Sequence, residues 1–100
     1  MKIVENKIFK LILNEQKGNK KFGSLYKKIK QRIYFLMAVD NLEDYPTAPP
    51  YSRHKLGGDL KDCYGINVSG NWRIIIRSVN HEVDLSKIRE IEVLDICDYH

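Results

Sequence analysis

The chain has 100 residues, 43% hydrophobic and 30% charged, enough for one small core without metals or disulfides. No apolar run approaches the ~20 residues a membrane-spanning helix needs, and Cys63 and Cys97 stand apart from any CxxC pair, which argues against a zinc or disulfide framework. The net charge is +4, but residues 1–32 hold ten Lys and Arg against two Glu, whereas residues 33–100 hold seven against eleven acidic residues. The basic block suits an anionic partner such as RNA or an acidic protein segment; the plainer alternative is a solvated helical face.

In chain order, MKIVENKIFKLILNEQ carries scattered charges and no small-residue cleavage site, so it is not a secretory signal. Asn6 is placed to cap a short helix through Leu13, with Ile8, Phe9, Ile12 and Leu13 as its apolar stripe. Asn14 starts a further turn or two, which Gly23 breaks. Ser24 stands at the next N-cap position, before LYKKIKQRIYFLMAV. There Leu25, Ile29, Ile33, Leu36 and Met37 recur at steps of three and four, leaving Lys27, Lys28, Lys30 and Arg32 on other faces of a helix ending near Asp40. NLEDYPTAPPYSR holds all three prolines and reads as a connecting loop.

The second half reads as strands. Tyr64, Ile66 and Val68 alternate with Gly65, Asn67 and Ser69, and SGN then makes a tight turn in which Gly70 and Asn71 tolerate positive φ. In WRIIIRSV, Trp72, Ile74 and Ile76 point to the core, and Arg73, Ile75 and Arg77 point the other way. After the polar connector NHEVDLSK, IEVLDICDYH alternates again: Glu92, Leu94, Ile96, Asp98 and His100 on one face, Val93, Asp95, Cys97 and Tyr99 on the other. A helical part (1–40), a loop (41–63) and strands (64–100) form one α+β domain, a small twisted antiparallel sheet with helices on one face.

Three histidines are present. His81 falls in the polar connector, His54 lies between Arg53 and Lys55, and His100 ends the chain. Two imidazoles with nearby cations suit RNA cleavage by the 2′-hydroxyl, because an imidazole with pKa near ~6.5 gives or takes a proton near neutrality. Arginine adds a planar fork for phosphate oxygens. The competing reading is structural: surface histidines, and Arg73 and Arg77 paired with Glu92 or Asp98 on the adjacent strand. Gly57 to Leu60, GGDL, lacks the strand–helix frame of a phosphate loop, and no metal motif competes.

The order of features changes that balance. RHKLGGDLKDCYGINVSGNWRIIIRS followed by a terminal DICDYH resembles the HigB branch of the RelE/ParE toxin superfamily, and NKIFKLILNEQKGNKKFG, KKIKQRI and AVDNLEDYP resemble its helical half. The resemblance implies a RelE-like fold and the toxin of a bacterial type II toxin–antitoxin system. Its expected activity is that of an mRNA interferase, an endoribonuclease cutting mRNA in the ribosomal A site, cytoplasmic and without a cofactor. The implied partners are mRNA, the ribosome with its 16S rRNA, and a HigA-like helix-turn-helix antitoxin. Carried over position by position, the active centre would comprise His54, Arg73, Asp98, Tyr99 and His100. His54 and His100 would be the proton-transfer pair, Arg73 the phosphate holder, and Asp98 the residue that orients a neighbour or fixes an imidazole tautomer. Alternation sets Tyr99 opposite His100; either a bulge re-aims it or it packs on the core.

The chain departs from the family pattern at Gly57, where relatives often carry lysine, and at Ser69, where some carry arginine. Phosphate contacts would then pass to Arg53, Lys55 and Lys61, with Arg77 on the same open face as Arg73. The sequence is compatible with two other functions. One is a ParE-like, gyrase-directed inhibitor without catalysis, not expected to keep the set of His54, Arg73 and His100. The other is an RNA- or ribosome-binding module, in which Lys27, Lys28, Lys30 and Arg32 would matter and His100 would not.

Overall fold

In the computed structural model, which describes residues 1–98, helix α1 spans Lys7–Leu13, α2 Glu15–Phe22 and α3 Tyr26–Ala38. Asn6 Oδ1 accepts the Phe9 amide at 2.9 Å and Asn14 Oδ1 accepts the Lys17 amide at 2.9 Å, so each asparagine caps the helix after it. Gly23, with φ +57, ends α2. Ser24 does not cap α3; it lies in a 3-10 turn, Gly23–Leu25, that runs directly into the helix.

The strands are β1 (Lys2–Ile3), β2 (His54–Lys55), β3 (Cys63–Ser69), β4 (Trp72–Ser78) and β5 (Glu90–Asp98), in the spatial order β1-β5-β4-β3-β2. The four strands β5, β4, β3 and β2 pair antiparallel, and β1 adds a parallel edge pairing of Lys2 with Glu90 and Ile3 with Ile91. Gly70, with φ +57, turns β3 into β4 as the SGN pattern requires. The result is an α+β fold with N-terminal helices on a twisted, mostly antiparallel sheet.

Ile29, Ile33 and Leu36 of α3 and Ile12 of α1 are fully buried against Ile66, Val68, Ile74, Ile76 and Val93 of the sheet. Each such burial contributes about 1.5–3 kcal/mol against leaving the side chain in water. Arg32 departs from the charged-outside expectation, being 4% exposed. It sits three residues after Ile29 and four before Leu36, hence on the buried side. Its Nε donates to the Asn67 carbonyl at 3.0 Å and its guanidinium lies 5.0 Å from the Tyr51 ring centre. Met37, expected in the apolar stripe, is 42% exposed.

The opposite face of the sheet carries a smaller cluster: Leu56, Cys63 and Ile75, with Leu60, Leu94 and Cys97 against them. Leu94 sits there because β5 is bulged. Ile76 pairs with Val93 but Ile75 pairs with Asp95, so Leu94 and Asp95 together oppose Ile75. Simple alternation along IEVLDICD is therefore wrong past Leu94: Val93 and Ile96 both face the main core, and Leu94 and Cys97 both face the other side. No helix among the described residues is long and apolar enough to cross a membrane.

Candidate active site

The helix-free face of the sheet is organised in rows, because residues directly opposite each other on paired strands share a face. One row runs His54, Gly65, Ile75; the next runs Asn67, Arg73, Cys97; on the other side lie Cys63, Arg77 and Glu92. Adjacent rows are two residues apart along the strands, about 7 Å. His54 and Arg73 thus occupy neighbouring rows of one surface.

His54 is exposed on β2, and its Nδ1 lies 2.9 Å from the carbonyl oxygen of Ser52. The ring lies over Gly65: a side-chain carbon there would come within 3.0 Å of His54 Cε1 and 3.2 Å of Nε2. Ser52 adopts φ +50, closing the turn whose amides at Tyr51 and Ser52 both donate to the Ala48 carbonyl.

Arg73 is half-buried and bent back onto the hairpin turn. Its Nη1 donates to Asn67 Oδ1 at 2.5 Å, to the Gly70 carbonyl at 2.8 Å and to the Trp72 carbonyl at 3.1 Å. Its Nε is buried with no partner among the described residues, so it is closed to an incoming phosphate in this arrangement. Arg77 is committed differently, with Nη2 2.9 Å from Glu92 Oε1. This is the structural pairing that sequence left open.

The other cations expected to touch phosphate are partly engaged. Arg53 Nε donates to the Tyr45 carbonyl at 3.0 Å, tying down the proline loop. Lys55 Nζ donates to the Lys61 carbonyl and lies 5.4 Å from the Tyr64 ring centre. Lys61 itself is exposed.

Asp98 is not on the face expected for it. It pairs with Trp72, whose ring packs on the main core, so the bulge at Leu94–Asp95 carries Asp98 to the helix side and brings Cys97 beside Arg73 instead. Burial, helped by the charges of Asp95 and Asp98, pushes the Cys97 thiol up, so it stays protonated at neutral pH. Tyr99 and His100 lie outside the described residues.

Sequence reasoning missed three residues that build this surface. Asn67 is one: its amide donates to the Tyr51 carbonyl at 2.9 Å, its Nδ2 to the Pro50 carbonyl at 3.2 Å, and its Oδ1 holds Arg73. The signal was an asparagine in a strand interior, where that residue is depleted. Ser52 and Gly65, which frame His54, gave no signal beyond being small. Among the described residues no group of three or more His, Cys, Asp or Glu could hold a metal ion.

A basic groove lies at the helical end of the molecule. Lys7, Lys10, Lys17 and Lys21 line a cavity of about 580 Å³ together with the apolar Leu11, Phe22 and Ile96 and one carboxylate, Asp95.

The model of the HigB-like toxin family, described as the RelE-like toxin of the type II toxin–antitoxin system HigB, matches residues 3–97. Among solved structures, a YoeB/ParE toxin from Agrobacterium tumefaciens is similar in fold, with a TM-score of 0.58 over 100% of both chains at 16% identity. No curated protein matches the chain.

Proposed function

The chain belongs to the HigB-like family of RelE/ParE toxins, the toxin half of a type II toxin–antitoxin system, and on that premise we propose that it is an mRNA endonuclease acting in the ribosomal A site. The observation that carries this reading is the placement of His54 and Arg73 in neighbouring rows of one helix-free sheet face. A proton-transfer group and a phosphate fork on one face, here two strands and one row apart, are the two kinds of group that 2′-hydroxyl attack requires.

In the proposed reaction the substrate 2′-oxygen attacks the adjacent phosphorus. A base takes the 2′-hydroxyl proton, the P–O5′ bond breaks, and an acid protonates the departing 5′-oxygen. The products are a 2′,3′-cyclic phosphate and a 5′-hydroxyl, with no external oxidant or second nucleophile. His54 and His100 form the proposed proton-transfer pair, and Arg73 binds a non-bridging oxygen as charge accumulates there, a contact worth on the order of a hundredfold in rate. Asp98 and Tyr99 are proposed to position the chain end, since the register of Asp98 sets it away from Arg73. With few reacting groups on the protein, rRNA that aligns the mRNA would supply much of the orientation.

HigB-type toxins pair with HigA antitoxins. The lysine-lined groove of α1 and α2 is the proposed dock: cations beside apolar side chains match an acidic, amphipathic protein segment better than a nucleic-acid backbone.

Primer extension on a defined mRNA tests the function. With translating ribosomes, new 5′ ends should appear at discrete A-site positions, and they should vanish with His100→Ala or without ribosomes. Intact mRNA in the complete reaction would overturn the reading and favour a non-catalytic member of the superfamily.

A further inference from the structure

The contact between His54 and Ser52 fixes where a proton must be. A carbonyl oxygen has no hydrogen to donate, so at 2.9 Å the bond exists only if His54 Nδ1 carries the proton. The carbonyl is held in place from both sides. The Ser52 amide donates to Ala48 at 3.0 Å and the Arg53 amide to Pro46 at 3.1 Å, while Ser52 itself is turned by φ +50.

The other ring edge is equally constrained. Cε1 and Nε2 overhang Gly65, occupying the space that a side chain would fill. Leu56 closes that space, since its Cδ2 would stand 3.3 Å from the same added carbon. Gly65 pairs directly with His54 across the β2–β3 ladder, so no shift of register relieves the crowding without unpairing the strands.

We infer that His54 works only through Nε2: its neutral ring is the Nδ1–H tautomer, set by the Ser52 carbonyl, and Gly65 is a positioning residue whose missing side chain leaves Nε2 open to the substrate. This rests on the nuclease reading for its function but not for its chemistry. Free histidine in water prefers the opposite tautomer, with the proton on Nε2. In that form Nε2 could not accept a 2′-hydroxyl proton, so the Ser52 contact prepares the ring before substrate arrives. Delivery of a proton uses the same atom, since Nε2 is the nitrogen that gains and loses hydrogen when Nδ1 is held.

Long-range proton–nitrogen NMR on the ¹⁵N-labelled full chain reads the tautomer directly. It is recorded about two pH units above the ordinary imidazole value of ~6.5, with the His54 signals identified by their loss in His54→Gln. The inference expects a pyridine-type Nε2 and a pyrrole-type Nδ1 in the wild-type protein. The reverse pattern overturns it, and that measurement depends on no variant folding. Gly65→Ala, checked for folding by its thermal transition, should move the ring toward the solution tautomer. Its kcat for mRNA cleavage should fall on the order of a hundredfold with little change in KM. A folded Gly65→Ala protein with unchanged tautomer and unchanged kcat overturns the positioning role. If the tautomer is as inferred but wild-type protein never cuts mRNA, the nuclease reading fails and the proton assignment stands.

Discussion

Asn67 and Arg73 face each other across β3 and β4, and Asn67 Oδ1 accepts a 2.5 Å hydrogen bond from Arg73 Nη1. Through its other groups Asn67 also anchors the proline loop at Tyr51 and Pro50 and receives Arg32 from α3. One strand residue therefore couples Arg73, the proposed phosphate fork, to the segment that presents His54. Asn67→Ala should reduce kcat/KM for mRNA cleavage roughly ten- to a hundredfold and lower stability by about 1–2 kcal/mol. Cleavage kinetics with a parallel denaturant titration check both. Unchanged cleavage would mean that Arg73 is not positioned by this contact.

Arg77 sits one row beyond His54 but is held by Glu92. Both side chains are about a third exposed or more, so the pair contributes no more than ~1 kcal/mol to stability. Breaking it should cost little and release a cation on the helix-free face proposed to meet RNA. Glu92→Gln is expected to tighten binding of a short single-stranded RNA several-fold at low salt, with a steeper salt dependence by about one charge. Fluorescence anisotropy across a salt series measures this; an unchanged slope would remove Arg77 from the RNA path.

Tyr45 is fully buried beside Phe35 and Tyr51, and its hydroxyl has no partner among the described residues. Burial pushes its ionisation well above the ordinary phenol value of 10.0, against the nearby charge of Arg32. The unfolded chain, with an ordinary phenol, releases that proton first as pH rises. The native state then holds more protons than the unfolded one, and stability falls from about pH 10 upward. Tyr45→Phe should lessen that alkaline loss. It should also match or exceed wild-type stability at pH 7, by up to about 1 kcal/mol, because an orphaned hydroxyl is removed. Thermal melts at pH 7 and in the alkaline range test the two statements together.

The lysine-lined groove predicts an antitoxin interface sensitive to charge. Lys10→Glu combined with Lys17→Glu should weaken the complex with a HigA antitoxin at least roughly tenfold, mainly through slower association. Cleavage by the free toxin should be unaffected, since Lys10 and Lys17 belong to α1 and α2, whereas His54 is on β2. Loss of cleavage with intact antitoxin binding would assign the groove to ribosomal RNA.

Much of this molecule can be read from local pattern. Asn6 and Asn14 cap their helices because a side-chain acceptor before an apolar periodic run does so with little help from the rest of the chain. Gly70 turns the hairpin for an equally local reason. The features that escaped depend on distant partners. Lys2–Ile3 becomes a strand only because β5 offers an edge about ninety residues later. Strict two-residue alternation along IEVLDICD fails because its pairing to β4 inserts a bulge that moves Asp98 to the helix side and Cys97 to the other. By pattern Arg32 is one more surface cation; its burial follows from Tyr51 and the Asn67 carbonyl, which only the folded chain brings beneath α3. His54 and Arg73 were named through family resemblance and then fall on one face, whereas the contacts that orient them come from Ser52, Gly65 and Asn67, which carry no motif.

The most direct test of the central claim is the chemistry of the cut ends. Products from the ribosomal reaction should carry a 2′,3′-cyclic phosphate upstream and a 5′-hydroxyl downstream, and an mRNA with a single 2′-deoxy nucleotide at the mapped cut should survive there. Ends bearing a 3′-hydroxyl and a 5′-phosphate, or cutting that tolerates the 2′-deoxy position, would contradict 2′-hydroxyl attack assisted by His54 and Arg73.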